Sequence, residues 1–180
     1  MVFDAEQRSI VSQSALAVLL AAAVLVAGYW WLPPDLVGVA TGMTLADRIG
    51  FALKWDLPIF VWLAGCVGGV SQGRFWTPAD RHGSAYSEPS KAIAVRAAVL
   101  QNSLEQTVLV VGAHLVLATV LRGSELALIP LLVLLYLFGR ATFAIGYAKS
   151  PIARAFGMAL TGASAGFAYV LAAGLILAGR

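Results

Sequence analysis

Five stretches of this chain are long and apolar enough to cross a membrane as helices, and nothing else in the sequence constrains its fold as strongly. They run from Ile10 to Leu32, Gly50 to Gln72, Ala92 to Leu121, Leu126 to Ala148 and Ala153 to Ala178. A helix needs about 20 apolar residues to span the hydrocarbon layer, and inside that layer it satisfies its own backbone polar groups. Composition agrees: 60% of the 180 residues are apolar and only 12% charged, too few charges to coat a water-soluble domain. The expected fold is all-α, a multi-span transmembrane helical bundle with no attached soluble domain. The net charge of +3 comes from few residues and bears on topology. Membrane lipids are the expected surroundings and nucleic acid is not an expected partner.

Local signals set the span ends. Tyr29-Trp30-Trp31 reads as an interfacial aromatic belt, and Pro33-Pro34 stops the first helix. Thr44 and Asp47 resemble a capping box for the second helix, and Pro58 is expected to kink it. Arg122-Gly123-Ser124 reads as a tight hairpin with Ser124 as N-cap; Ser150 and Pro151 read as the N-cap and first residue of the fifth helix. The first span follows Asp4, Glu6 and Arg8, which is no basic leader, so it is expected to be a retained span and not a cleaved signal peptide. Arg74, Arg81, Lys91, Arg96, Arg140, Lys149 and Arg154 fall on one side of the bundle; Arg48, Lys54 and Arg122 fall on the other. The first side is therefore expected to be cytoplasmic, with the N-terminus inside and Arg180 outside. No internal repeat is apparent, which leaves an inverted-repeat transporter without support.

Chemistry concentrates near the start of the third span. Glu105 at mid-membrane would cost about 2.5–3.5 kcal/mol in lipid, so it is expected to face a bundle interior, a partner subunit or a wet cavity. Gln101, Asn102 and Glu105 are expected to share a helix face. In the fourth span Arg140 and Tyr147 share a stripe with Phe143 between them. Arg154 follows in what should be the first turn of the fifth helix, where a cation beside a helix start can hold an anion or favour a thiolate. Each has a plainer alternative. Arg154 can be an anchor to headgroups, Asn102 and Glu105 can be interhelical hydrogen-bond partners, and Tyr147 can be a belt residue. His114 reads as a packing histidine. Gly65, Gly69 and Gly73, and Gly162 with Gly166, read as close-packing or oligomer contacts. One cysteine, Cys66, and two separated histidines, His82 and His114, offer no disulfide and no metal-ligand spacing, so no metal is expected.

Four passages resemble the MAPEG superfamily, the membrane-associated proteins of eicosanoid and glutathione metabolism, which includes microsomal glutathione transferases, leukotriene C synthase and prostaglandin E synthase. Arg74-Phe75-Trp76-Thr77-Pro78-Ala79-Asp80 is similar to the segment after that family's first helix. Arg96 through Glu105 is similar to its second-helix Arg…Asn-x-x-Glu signature. Tyr136-Leu137-Phe138-Gly139-Arg140 and Gly146-Tyr147-Ala148-Lys149-Ser150 resemble the end of its third helix, and Arg154 falls where the family places a thiolate-stabilising arginine. The likeness covers roughly residues 50 to 178. It implies a four-helix subunit assembled as a homotrimer, with glutathione bound between subunits by Asn102, Glu105, Tyr147 and Arg154, the last activating the thiol. Gln101, Arg140 and Arg74 join them as candidate contacts.

The first span has no counterpart in the family, so residues 1–49 are expected to be an added helix with its loop and residues 50–180 the MAPEG-like domain. The sequence departs from the family's pattern where a further basic residue precedes the Asn, since Gln101 and Ala98 stand there, and at Phe143, which cannot hydrogen-bond. The expected activity is a glutathione-dependent transferase or peroxidase acting on a hydrophobic small molecule in a bacterial inner membrane. The alternative is a non-enzymatic scaffold or lipophile-binding protein that kept the fold.

Overall fold

A computed structural model describes residues 3–180. Five helices follow one another: α1 (Ala5–Trp31), α2 (Leu45–Trp76), α3 (Lys91–Val120), α4 (Leu128–Lys149) and α5 (Ala155–Leu177), with short 3-10 turns at Pro34–Val37, Pro78–Asp80 and Gly123–Ala127. All five helices are long and apolar enough to cross a membrane, α4 together with the turn before it. The fold is the expected multi-span helical bundle.

The cap chemistry is local and partly as read. Thr44 Oγ1 accepts the Asp47 N–H at 3.2 Å while the Asp47 carboxylate accepts the Thr44 N–H at 2.9 Å. This starts α2 five residues before the apolar run does, and the helix continues through Pro58 to Trp76. Ser90 caps α3 by accepting the Ile93 N–H. Two expectations need correction. Ser124 caps nothing: the chain forms a 3-10 turn there, and Glu125 takes the Arg122 N–H at 2.9 Å. Gly123 supplies the turn with φ +53°, a conformation costly to residues with a Cβ. Ser150 accepts the Ala153 N–H at 3.1 Å, but this closes only a turn, and α5 begins at Ala155 with Arg154 at its N-cap.

Helices α2 to α5 form the bundle, and α1 packs on its outside against α5 and α4. About half of the apolar stretches of α3 and α4 is buried, against 11% for α1, so α3 and α4 are central and α1 peripheral. Lipid tails are as apolar as side chains, so helix association here rests on close packing and interhelical hydrogen bonds. On α1 the seam is small: Ala17 and Ala21 are wholly buried in a cluster with Leu135 and Leu160, and Gly28 lies against Leu131. Between α4 and α5 the approach is closer. A Cβ at Gly157 would overlap the backbone of Phe143 and the Gly139 carbonyl, and one at Gly146 would overlap the Ala153 carbonyl. Backbone cannot give way, so glycine at these positions sets the helix separation.

The glycines singled out in the sequence play another part. A Cβ at Gly65, Gly69, Gly162 or Gly166 would meet nothing within 4 Å, whereas Gly73 does touch Ile93 and Arg96. Only Gly73 of that set serves packing within the subunit.

Polar pairs stitch the inner face of α3. Trp62 Nε1 donates to Ser103 Oγ at 3.2 Å, Thr107 Oγ1 and Tyr136 Oη lie 2.7 Å apart, and His114 Nδ1 lies 2.6 Å from Asp56 Oδ1. At one end of the bundle Arg48 donates to the carbonyls of Leu121 and Thr119, which terminate α3. The opposite end gathers the starts of α1, α3 and α5 with the ends of α2 and α4.

Candidate functional site

The site is built at that second end. Arg140, in the last turns of α4, is wholly buried. Its Nε donates to Thr161 Oγ1 of α5 at 3.2 Å and its Nη1 to Asn102 Oδ1 of α3 at 2.6 Å. Its Nη2 is buried without a partner among the described residues. Positions 140, 143 and 147 follow one helix face, and the side chains stack accordingly. The Arg140 guanidinium carbon lies 4.4 Å from the Phe143 ring centre. Phe143 and Tyr147 stack at 5.6 Å with 21° between their planes. The Arg154 guanidinium carbon lies 4.6 Å above the Tyr147 ring. A row of cation, two aromatic rings and cation thus runs outward from the core to the exposed Arg154.

Arg154 is held there by the chain's geometry. The Ser150 turn and the glycine contacts of Gly146 and Gly157 press the α4–α5 connection against α4. The α5 N-terminus, whose Ala155 N–H already bonds the Ile152 carbonyl, therefore lies beside the same arginine and adds its dipole there. A cleft of about 340 Å³ lies alongside, lined by Asn102, Phe143, Arg154, Met158 and, from α1, Ile10 and Ser14. It joins a cation, a helix start and an apolar wall, which suits an anionic group attached to a less polar body.

The candidates read from sequence divide into three sets. Asn102, Arg140, Tyr147 and Arg154 come together around the stack. Gln101 and Glu105 lie beside them but face outward, where the Gln101 amide donates to the Glu105 carboxylate at 2.9 Å. The expected common face is therefore split. One residue step turns a helix by about 100°, and that is enough to send Asn102 to α4 while its neighbours stay on the bundle's exterior. Arg74 stands apart, donating to Ser84 Oγ at 3.3 Å.

The segment around Arg74 makes structural contacts within the chain. Asp80 Oδ1 accepts the Ser90 N–H at 2.7 Å and so ties the loop to the α3 cap. That backbone N–H, and then the Ser90 hydroxyl, hold the Asp80 carboxyl below its ordinary pKa. Arg96 donates to the Gly69 carbonyl at 2.9 Å and fastens α3 to α2.

Three features escaped the sequence reading. Thr161 anchors Arg140 from a helix whose pattern is otherwise small and apolar, and nothing local marks it. Ser14 and Ile10 line the cleft from a helix that carries no chemical motif. Asp56 pairs with His114 in the core. A carboxylate inside an apolar run was the available signal there, as it was for Glu105. No group of His, Cys, Asp and Glu suited to a metal occurs among the described residues.

Fold and site together define a multi-span helical membrane protein with a cleft beside an exposed arginine at one end of its bundle. The MAPEG family model matches residues 58–174, more than half of the chain, and the chain belongs to the MAPEG family. It is thus a membrane protein of the superfamily named for eicosanoid and glutathione metabolism, and α1 lies outside the matched region. No curated protein and no solved structure matches the chain.

Proposed function

We propose that this protein is a glutathione-dependent transferase or peroxidase for hydrophobic small molecules, working as a homotrimer in a bacterial inner membrane. The observation that carries the reading is the stack from Arg140 through Phe143 and Tyr147 to Arg154, ending beside a helix start and a cleft. The residues fit glutathione. The exposed Arg154 suits a carboxylate or the thiolate, Arg140, buried with an Nη2 to spare, adds positive charge behind the stack, and the exposed Glu105 suits the ammonium. When bound, glutathione supplies a thiolate sulfur that bonds the acceptor's carbon in exchange for a leaving group, or supplies two thiols that reduce a hydroperoxide to an alcohol and water and leave as the disulfide. Arg154 and the α5 N-terminus hold the negative sulfur. Asn102 keeps Arg140 in place under Phe143. Gln101 positions Glu105, and Tyr147 orients the Arg154 guanidinium.

Glu105 and Gln101 are polar groups on the outer face of a membrane helix, a costly place in lipid. A neighbouring copy covering them removes that cost and supports the trimer. Native mass spectrometry of detergent-solubilised protein, titrated with glutathione, is expected to give a trimer that takes up one glutathione per copy. A monomer that takes up none overturns the reading.

The second reading is a non-enzymatic scaffold or lipophile-binding protein. It is favoured by the hydrogen bonds that Asn102 and Glu105 already make within the subunit, which need no ligand to explain them.

We place the site end on the cytoplasmic side, because basic residues concentrate there. Ser84→Cys on a Cys66→Ala background should resist a membrane-impermeant maleimide added to intact cells and react after lysis. Labelling in intact cells reverses the orientation.

A further inference from the structure

Helix α1 lies outside the family match, yet it forms a wall of the cleft. Ile10 and Ser14 face Arg154, Asn102 and Phe143 across it, with Met158 and Ala159 of α5 alongside. On the same helix the Ser12 hydroxyl donates to the Ser9 carbonyl and the Ser9 hydroxyl accepts from Gln13, so those two hydroxyls are engaged within the helix. Just past Ser14, Ala17 is wholly buried with Leu160 in one apolar cluster. That cluster packs the α1 seam beyond Ser14. A second, apolar crevice between Tyr29, Trp30 and Leu171 lies beyond it, nearer the other end of the bundle.

Along α1 the lining of the cleft therefore ends at Ser14. Its length on that wall, from Ile10 to Ser14, is about 6 Å at helical rise. Its volume of about 340 Å³ is near the lower bound of roughly 300 Å³ for small-molecule sites. The polar end belongs to Arg154 and Asn102. The far wall of Ile10, Met158 and Ala159 is apolar, with one hydroxyl at Ser14.

We propose that α1 builds the acceptor half of the site, and that this half takes a compact hydrophobic electrophile, of the size of one substituted aromatic ring, in preference to a long acyl chain. The proposal rests on the glutathione reading above. Ser14 contacts the acceptor's polar substituent, and the packed cluster around Ala17 sets the limit on its length.

The test uses the full-length trimer in detergent with Ser14→Cys on a Cys66→Ala background. N-ethylmaleimide modification of position 14 is followed alone, with S-methylglutathione, which fills the thiol half but has no free thiol to consume the reagent, and with the dinitrophenyl conjugate of glutathione, which carries a compact aromatic acceptor on its sulfur. At about ten times Kd roughly a tenth of sites stay open, so the conjugate should slow labelling about tenfold, while S-methylglutathione should leave it nearly unchanged. A Ser12→Cys control should be indifferent to both. Calorimetry on the same samples reports whether each ligand binds. If both bind and neither protects, α1 is no part of the site. Equal protection by S-methylglutathione places Ser14 in the thiol half and overturns the assignment. If neither ligand binds, the glutathione reading has failed and the acceptor site falls with it. In turnover assays Ser14→Leu should raise KM for chlorodinitrobenzene at least about tenfold, roughly the loss of 1.4 kcal/mol of binding, with glutathione Kd unchanged. A wild-type preference for a long-chain lipid hydroperoxide over compact cumene hydroperoxide contradicts the size limit.

Discussion

Arg154→Ala is expected to abolish the thiolate absorbance of bound glutathione near neutral pH and to lower kcat/KM about 100-fold, the order found when one preorganised charge-stabilising donor is removed. The side chain is exposed at the cleft and rests on the Tyr147 ring at 4.6 Å, so its loss leaves no buried cavity and the fold should persist. What goes is a full positive charge beside sulfur. The α5 N-terminus, worth roughly half a charge, remains and accounts for residual activity. Each unit by which the thiol pKa rises corresponds to about 1.4 kcal/mol, so the loss should appear directly in ultraviolet difference spectra. Arg154→Lys keeps the charge but not the planar stacking surface, and should recover part of the signal. Glu105→Gln should weaken glutathione binding while leaving the thiolate fraction of bound ligand largely intact. A wild-type protein with no thiolate signal under saturating glutathione defeats the enzyme reading, as does an Arg154→Ala variant with signal and turnover unchanged; the scaffold reading then stands.

The parts of this architecture legible in the sequence are those written in local chemistry. Apolar run length locates each helix because a membrane span needs little else, and Thr44 with Asp47 announces α2 because a capping box is closed within four residues. The 140–143–147 spacing places the stacked side chains on one stripe without knowledge of any other helix. Tertiary competition governs the rest. Ser150 and Pro151 satisfy the rule for a helix start, but the backbone contact of Gly146 with Ala153 imposes a turn there and moves the start to Ala155. Asn102 and Glu105 differ in direction because Arg140, buried on α4, claims the first. Glycine spacing was a poor guide to glycine use. Gly139, Gly146 and Gly157 carry no compact repeat, yet they are the ones backbone touches.

Asp56→Ala is expected to lower the melting temperature in detergent by about 6–20 °C, from a loss of about 3–5 kcal/mol if the Asp56–His114 pair is ionised, and by about 2–12 °C, from about 1–3 kcal/mol, if it is neutral. The two side chains are 2.6 Å apart and at most 1% exposed, so removing either strands the other in a core that offers neither water nor a substitute partner. His114→Ala should cost a comparable amount and leave Asp56 with both carboxylate oxygens unmatched, since Oδ2 has no partner among the described residues even now. Replacing both together, Asp56→Leu with His114→Leu, should recover most of the loss, because apolar packing of similar volume can match a buried polar pair. His114 lies on α3 about 18 Å beyond Asn102 at helical rise. Below the melting transition the single variants should therefore bind glutathione with wild-type affinity. This separates a structural clasp between α2 and α3 from an arm of the site. A single substitution that shifts melting by less than about 2 °C rules out the clasp, and one that weakens glutathione binding at unchanged stability shows that the two ends of the bundle are coupled.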